Sequence, residues 1–475
     1  MLFSGITFIY FFLPCALIIY YAAPKNMRNS VLLALSIIFY GWSGPKYLIL
    51  LSASVLQGFI SGIIIERTHG TRMSKVMLGI SVALSVGTLV IFKYSGLPGI
   101  ILPVGISFYT FQIISYVADV YRGACAQHSF VKLALYICMF PQLIAGPIVR
   151  YSDIASQLDE RSYSAGMASY GISRFVTGLA KKILIANTLG SLVGVFKAMT
   201  GTTAASNQAG SVLFYWIYAA AYTLQIYYDF SGYSDMAVGL GAILGFSFPE
   251  NFNYPYIAAS ITDFWRRWHI SLGTWFRDYV YIPLGGSREG RIRTIFNIMT
   301  VWLLTGIWHG AGSCFAFWGL FYGLLLINEK LWLLPFLKRH NFKILPHLYV
   351  MFFVMTGFVL FDADNISEAM YRLTSMFGLN GLALTDETAI YYLRSYLVVI
   401  IVAIIGATPF ISKAVALISG HLRSHTHSRL PLSGRLPVVW SAVSYLRPVY
   451  VVIMLALCTA YLVDGSFNPF LYFRF

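Results

Sequence analysis

Apolar segments follow one another along the whole chain, and this pattern constrains the fold more than any other feature of the sequence. Hydrophobic residues occupy 58% of the 475 positions and charged residues 11%, whereas an ordinary soluble domain contains about 25% charged residues. The polar stretches are too short to form a separate soluble domain of about 100 residues. We therefore predict one all-α integral-membrane domain over residues 1–475, because helices satisfy their own backbone hydrogen bonds in lipid.

The hydropathy pattern predicts about eleven to fourteen membrane-embedded elements, several of them shorter than the roughly 20 residues of a straight span. They lie near residues 5–22, 30–42, 46–65, 76–92, 101–121, 130–148, 183–198, 209–229, 233–247, 295–307, 312–334, 348–361, 390–410 and 448–463. Glycine and proline interrupt the sequence at 102–116 and 136–149, which predicts re-entrant or broken helices. Such elements are tolerated where protein or a water-filled cavity surrounds them, so we expect a central cavity.

The formal net charge of +15 is explained better by membrane topology than by nucleic-acid binding. Lys and Arg residues lie in short loops between apolar segments, where the positive-inside rule assigns them to the cytoplasm. Residues 66–75 contain three basic residues, whereas the turn at 41–45 contains none. We therefore predict that residues 66–75 are cytoplasmic, that the N-terminus is extracytoplasmic, and that the basic loop at 410–447 is cytoplasmic.

Cysteine and histidine spacing gives little support for a metal site or a disulfide framework. The five cysteines show no CxxC spacing, so neither a disulfide framework nor a zinc site is indicated. His421, His425 and His427 suggest a metal site in the basic loop, but no carboxylate or cysteine completes a ligand set there. A solvated basic loop with incidental histidines is the alternative, and we predict no metal and no bound cofactor.

Residues 261–281 combine many aromatic side chains with charge, and a helical repeat separates the two classes. At about 100° per residue, one face carries Phe264, Trp268, Leu272, Trp275 and Tyr279. The opposite face carries Arg266, His269, Gly273 and Arg277. This pattern predicts one helix in the membrane interface, with its aromatic face toward acyl chains, its basic face toward water, and a position at an entrance.

Arg288, Arg291 and Arg293 follow this stretch, directly after Gly285 and Gly286. Guanidinium groups clustered in this way can pair with the phosphates of a substrate. The same cluster also arises from the preference for basic residues near anionic lipid. Both interpretations remain open from the residues alone.

His309 lies in the glycine-rich sequence TGIWHGAG, where it is the only side chain expected to titrate near neutral pH. An ionisable residue at membrane depth usually faces a cavity and marks a reacting site. A neutral imidazole can act there as a general base. The alternative is a hydrogen-bonded core histidine with a purely structural role.

Polar side chains form a second island in YYDFSGYSDM, with Asp229, Ser231, Tyr233, Ser234 and Asp235. Buried carboxylates require partners such as Arg or His, so these residues could orient a catalytic histidine. They could equally cap a new helix that starts at Asp235. The first alternative is functional and the second is structural.

Several motifs in this order resemble the membrane-bound O-acyltransferase (MBOAT) superfamily, in particular the bacterial branch that contains the membrane subunit of alginate O-acetyltransferase. They are MLFSGITFIYFFLP, PVGISFYTFQIISYVADVYRG, FPQLIAGPIVRY, YDFSGYSDMAVGLGAILGFSFPENFNYPY, DFWRRWHISLGTWFRDYVYIPLGG, WLLTGIWHGAG and FNPFLYFRF. The resemblance covers most of the chain, with its core at 100–325. Residues 335–460 add hydropathy only, so the match there is weaker.

This resemblance implies a ring of transmembrane and re-entrant helices around a tunnel that receives an acyl donor from the cytoplasm. It assigns catalytic roles to His309, through its WHG motif, and to His269, the second invariant histidine, through WHIS. Around them we assign substrate binding to Trp265, Arg266, Arg267, Trp308, Asp229, Ser231, Asp235 and Arg288.

The implied reaction is transfer of an acetyl group from cytoplasmic acetyl-CoA to an exported or cell-surface polysaccharide in a bacterial cell membrane. A partner acetyltransferase outside the cytoplasm is expected to receive the group first. One alternative is D-alanyl transfer to teichoic acid from a carrier-protein thioester. A non-enzymatic transporter of acyl groups or glycan is another, because broken helices and buried histidines also occur in transporters.

Overall fold

The computed structural model describes residues 1–42, 44–95, 102–144, 146–200, 210–339, 342–414 and 436–465. Within these ranges the chain is helical, and one isolated β-bridge joins Phe252 to Trp268. The first nine helices are α1 Phe8–Ala22, α2 Arg28–Gly41, α3 Tyr47–Arg67, α4 Arg72–Tyr94, α5 Ile106–Tyr121, α6 Phe130–Cys138, α7 Phe140–Leu143, α8 Tyr151–Asp159 and α9 Ala165–Met199. The remaining helices are α10 Val212–Ile243, α11 Ile261–Arg267, α12 Ile270–Phe276, α13 Arg291–His309, α14 Ser313–Asn328, α15 Leu334–Arg339, α16 Leu345–Asp362, α17 Ile366–Met376, α18 Glu387–Gly406 and α19 Leu436–Asp464.

Seven helical segments in the described part of the chain are long and apolar enough to cross a bilayer. They are 47–67, 72–94, 165–199, 313–337, 345–362, 387–406 and 447–464. The prediction of a multi-pass, all-α membrane protein is therefore confirmed. The other embedded elements are shorter helices, or helices surrounded by protein.

Helix α10 forms the centre of the molecule and is buried on all sides, from Phe214 to Ile243. The sequence predicted two spans here, 209–229 and 233–247, and one of two alternatives for the polar island was a new helix starting at Asp235. That prediction is wrong, because one helix runs through the polar island without a break. The two carboxylates remain inside it because basic side chains of α9 pair with both of them.

Helices α9 and α10 pack closely through glycine pairs. A Cβ on Gly171 would lie 2.6 Å from the carbonyl oxygen of Gly239, and a Cβ on Gly232 would lie 2.7 Å from that of Gly178. Between these crossings and its C-terminal half, α9 contains a π-helical turn at Lys181–Ala186. The predicted span at 183–198 is therefore only the second half of a longer helix.

The predicted helix breaks at 102–116 and 136–149 have different outcomes. Residues 106–121 form one continuous, largely buried helix, α5, which begins after Gly105 at a φ of 79°. Residues 130–143 are broken into α6 and α7, because Met139 is extended and Pro141 lies in the first turn of α7. Both stretches lie inside the protein, which satisfies the requirement that irregular backbone be shielded from lipid.

The basic stretch at 410–447 falls mostly outside the described residues, as do His421, His425 and His427. The cytoplasmic assignment of this stretch and the metal hypothesis for its histidines stay predictions. The closing motif FNPFLYFRF also lies outside the described ranges.

Candidate active site

A cavity of about 730 Å³ opens between α10, the 261–281 segment, α13, α14 and α16. Aromatic rings form much of its wall. Its polar and charged lining side chains are Asp229, Thr262, Arg266, His269, Thr274, Arg277, Tyr281, Thr305, His309 and Lys330. The two histidines predicted from the sequence therefore face one internal space.

His309 ends helix α13 and lies against aromatic rings at this wall. Its ring centroid is 5.3 Å from that of Trp318 and 5.1 Å from that of Phe361. The close crossing of α13 and α14 positions the Trp318 ring, since a Cβ on Gly319 would lie 3.3 Å from the Cα of Gly306. The glycines of this region therefore allow two helices to meet at the histidine.

Helix α4 supports the end of α13 from outside the cavity. Lys93 donates a hydrogen bond to the carbonyl oxygen of Trp308, and Tyr94 donates one to that of Ile307. The last carbonyls of a helix have no partner within the helix and carry its partial negative charge. A lysine and a tyrosine therefore stabilise the turn that presents His309.

The 261–281 segment is broken at His269, which has a φ of 47°. The predicted continuous interfacial helix is wrong. The segment forms α11, then Trp268, which makes the β-bridge to Phe252, and then α12 and a π-helical turn at Arg277–Tyr281. The break occurs because the backbone around Asn251 bonds to this segment: the Ile270 N–H donates to the Asn251 carbonyl over 3.0 Å.

The aromatic face predicted to point toward acyl chains is instead packed inside the protein. Phe264, Trp268, Leu272 and Trp275 are all buried. The opposite face agrees better with its predicted position, because Arg266, His269, Gly273 and Arg277 all line the cavity. Trp268 and Leu272 of the predicted aromatic face line the same cavity, so the helical repeat placed the basic face at the cavity but did not separate the two faces.

His269 is held in one orientation by Asn251. Its Nδ1 lies 3.1 Å from the Asn251 Oδ1, which also accepts from the Ser271 backbone N–H at 3.3 Å and from the Ser271 hydroxyl at 2.9 Å. An oxygen that accepts from a backbone N–H is an acceptor toward the imidazole as well, so Nδ1 carries the proton. In the neutral ring, Nε2 then has a lone pair.

Three cations line the cavity together with the histidines: Arg266, Arg277 and Lys330. Lys330 also lines an adjoining cavity of about 360 Å³, where its neighbours include Ser287, Arg288 and Arg291. The Lys330 ammonium donates to the Ser287 hydroxyl over 3.1 Å. The predicted arginine cluster therefore borders the main cavity rather than lining it.

Asp229 lines the cavity and forms an ion pair with Lys182 of α9. The Lys182 Nζ is 2.5 Å from the Asp229 Oδ1, and both side chains are only 3% exposed. An ion pair buried this deeply requires close contact to offset the desolvation of two charges. The carboxylate at the cavity wall is thus held by a lysine behind it.

Of the ten predicted site residues, five line the cavity and five do not. The five lining residues are His309, His269, Trp265, Arg266 and Asp229. Two of the other five form ion pairs: Arg267 with Asp263 at 3.0 Å, and Asp235 with Arg174 and Lys181 at 2.7 Å each. Trp308 packs against Phe111, and Ser231 is buried in α10. Arg288 lines the adjoining cavity.

Sequence reasoning missed Lys182, Asn251, Trp318, Lys330 and Phe361. Lys182 had a usable signal, because LAKKILIA places a charge within an apolar run, where an ionisable residue indicates function. Asn251 and the two aromatic residues had no such signal, since none of them is ionisable and aromatic residues make up 17% of the sequence. Their role depends on contacts with residues distant in the chain.

The fold and the cavity define the class of this protein: a multi-pass, all-helical membrane protein with an internal cavity lined by two histidines and three cations. Comparison with known proteins gives the family. The model of the membrane-bound O-acyltransferase family matches residues 124–366. The chain belongs to this family, and it is an acyltransferase.

Three relatives illustrate the range of the similarity. The chain is 34% identical to a probable alginate O-acetylase of Azotobacter vinelandii, over 100% of both chains. It is 30% identical to a peptidoglycan O-acetyltransferase of Helicobacter pylori, over 100% of this chain and 98% of that one. With a teichoic acid D-alanyltransferase of Bacillus subtilis the identity is 28%, over 54% of this chain and 68% of that one.

Proposed function

We propose that this protein transfers an acetyl group from acetyl-CoA, across a bacterial cell membrane, for O-acetylation of an exported or cell-surface polysaccharide. The observation that carries the proposal is the shared cavity of His309, His269 and three cations. Relatives named for O-acetylation match over the full chain, whereas the D-alanyl relative matches about half of it. A partner protein outside the cytoplasm is proposed to receive the acetyl group before the polysaccharide.

The donor is proposed to enter where the cavity is cationic, at the cytoplasmic face, with the N-terminus of the chain on the opposite side. Arg266, Arg277 and Lys330 line this part of the wall, and Arg288 lies in the adjoining cavity. Guanidinium groups bind phosphates through paired charge-assisted hydrogen bonds. The phosphates of CoA would therefore bind here while the thioester extends toward His309.

His309 is proposed to act as the general base. Its imidazole removes the proton from the acceptor hydroxyl as that oxygen attacks the thioester carbonyl carbon. The tetrahedral intermediate then breaks the C–S bond, and the thiolate takes the proton back from the imidazolium. The products are the acetyl ester and the free thiol, and no other reactant is needed.

Trp318 is proposed to stabilise the oxyanion of that intermediate. Its ring lies 5.3 Å from that of His309 and is 2% exposed. The indole N–H has no hydrogen-bond partner among the described residues, which is unusual for a buried donor. A donor already oriented beside the reacting carbonyl contributes strongly in a water-poor site.

The test is ester analysis of surface polysaccharide in cells that carry wild type, His309→Ala or His269→Ala at matched membrane levels. We expect loss of acetyl esters in His309→Ala and a strong reduction in His269→Ala. Unchanged acetyl esters in His309→Ala would contradict the mechanism. Loss of D-alanyl esters instead of acetyl esters would assign the chain to teichoic acid modification.

A further inference from the structure

The Lys182–Asp229 ion pair places a charge on the cavity wall that packing alone does not require. A buried ion pair can usually be replaced by apolar side chains without loss of stability. Among the described residues that line the cavity, Asp229 is the only acidic one. Its carboxylate would repel the phosphates of a donor but attract uncharged N–H or O–H groups.

Asp229 lies beside His269, away from the part of α10 that contacts Asp362. The ring of Phe230, its neighbour in the chain, is 4.6 Å from the His269 ring. Tyr218, on the same helix, donates to Asp362, which follows the Phe361 that contacts His309. Eleven residues of helix separate Tyr218 from Asp229, or roughly 16 Å along the axis.

His269 presents a second hydrogen-bond acceptor beside Asp229. Its Nδ1 proton is engaged by Asn251, so the neutral ring accepts through Nε2. The side chain is 3% exposed and lines the cavity, and Nε2 has no hydrogen-bond partner among the described residues. A buried polar atom without a partner, in the wall of a cavity, indicates a ligand that supplies the missing donor.

We infer that Asp229 and His269 Nε2 bind the amide N–H groups in the pantetheine arm of the acyl donor. This inference rests on the proposed function, which sets the thioester at His309 and the phosphates at the cationic part of the wall. The arm connects those two ends, and its two amides carry the N–H groups that two acceptors can bind. Lys182 is a positioning residue, because its ammonium group pairs with the Asp229 carboxylate and orients it.

The test measures binding to the purified full-length protein in lipid nanodiscs, by calorimetry. The probes are acetyl-CoA, pantetheine, and a pantetheine analogue in which ester oxygens replace both amide N–H groups. Hydrogen bonds to charged or buried acceptors predict that wild type binds pantetheine about 10- to 100-fold more tightly than the ester analogue. In the neutral double variant Lys182→Met/Asp229→Leu, this preference should fall to about threefold or less.

The double variant also separates a positioning role from a structural one. Because it leaves no unpaired buried charge, it should accumulate in the membrane better than Lys182→Met alone. Asp362→Asn is the matched control, since it removes a buried carboxylate that pairs with Lys197 at 2.6 Å outside the cavity lining. This control should retain the full preference for pantetheine over the ester analogue.

Two outcomes distinguish failure of this inference from failure of the proposed function. Equal binding of pantetheine and the ester analogue by wild type would overturn the inference while leaving acetyl-CoA as donor. No binding of acetyl-CoA or pantetheine by wild type would overturn the proposed donor itself. Both outcomes are read from wild type, so they remain decisive even when a variant fails to fold.

Discussion

The two histidines of the cavity occupy contrasting environments. His309 ends a helix and has the rings of Trp318 and Phe361 as neighbours. His269 lies at a helix break in a left-handed conformation, where Asn251 fixes its orientation. We propose a division of roles, in which His309 performs the bond chemistry and His269, whose orientation Asn251 fixes, aligns the substrate.

The largest effect is expected from His309→Ala, because it removes the proposed base. General base catalysis contributes about 10²- to 10⁴-fold, so the initial rate of acetyl ester formation should fall by at least about 10²-fold. His347→Ala is the matched control, since His347 bonds to the carbonyl of Ala258 at 3.0 Å and does not line the cavity. Similar losses in both variants would remove the distinction between His309 and an ordinary histidine.

Trp318→Phe tests the environment of His309, because it removes one N–H and keeps an aromatic ring. Loss of one oxyanion donor costs about 10²-fold in kcat or more, and we expect about 10²-fold here with little change in KM for the donor. The measurement is steady-state kinetics with acetyl-CoA. A change confined to KM would show that Trp318 shapes the cavity and does not stabilise the oxyanion.

Asn251→Ala tests whether His269 acts by holding a fixed orientation. The variant removes the group that fixes the imidazole, and we expect about a tenfold lower rate of ester formation, with a destabilisation of about 1–3 kcal/mol. Thermal unfolding in detergent measures the second quantity. Asn29→Ala, which removes a hydrogen bond to Leu158 far from the cavity, should lose stability without a comparable loss of rate.

The smallest effect is expected from Arg266→Gln, at the cationic part of the wall. Its guanidinium is solvent-exposed, so we predict about a threefold to tenfold weaker Kd for acetyl-CoA, with the difference shrinking as salt rises. Arg267→Gln is the adjacent control, because Arg267 pairs with Asp263 and does not line the cavity. Equal effects of the two variants would contradict the assignment of Arg266 to phosphate binding.

The sequence predicted the chemistry of the site better than its shape. Hydropathy gave the all-α membrane fold, and an ionisable residue in an apolar run pointed to His309 and Asp229. Local periodicity failed at 261–281, where hydrogen bonds from Asn251 end a helix that the repeat continues. It failed again at 229–235, where polar residues remain inside α10 because α9 supplies their counter-charges.

The sequence alone determined that the chain folds in a lipid bilayer. It also determined the small set of polar residues that lie within the apolar segments. Burying a charge or an imidazole in lipid or apolar protein is costly, so these residues are conspicuous in the chain. The tertiary structure alone decided which of them meet. Lys182 meets Asp229 and Trp318 meets His309 only through the close crossings of α9 with α10 and of α13 with α14. Such contacts depend on the packing of helix pairs, which no local pattern of residues encodes.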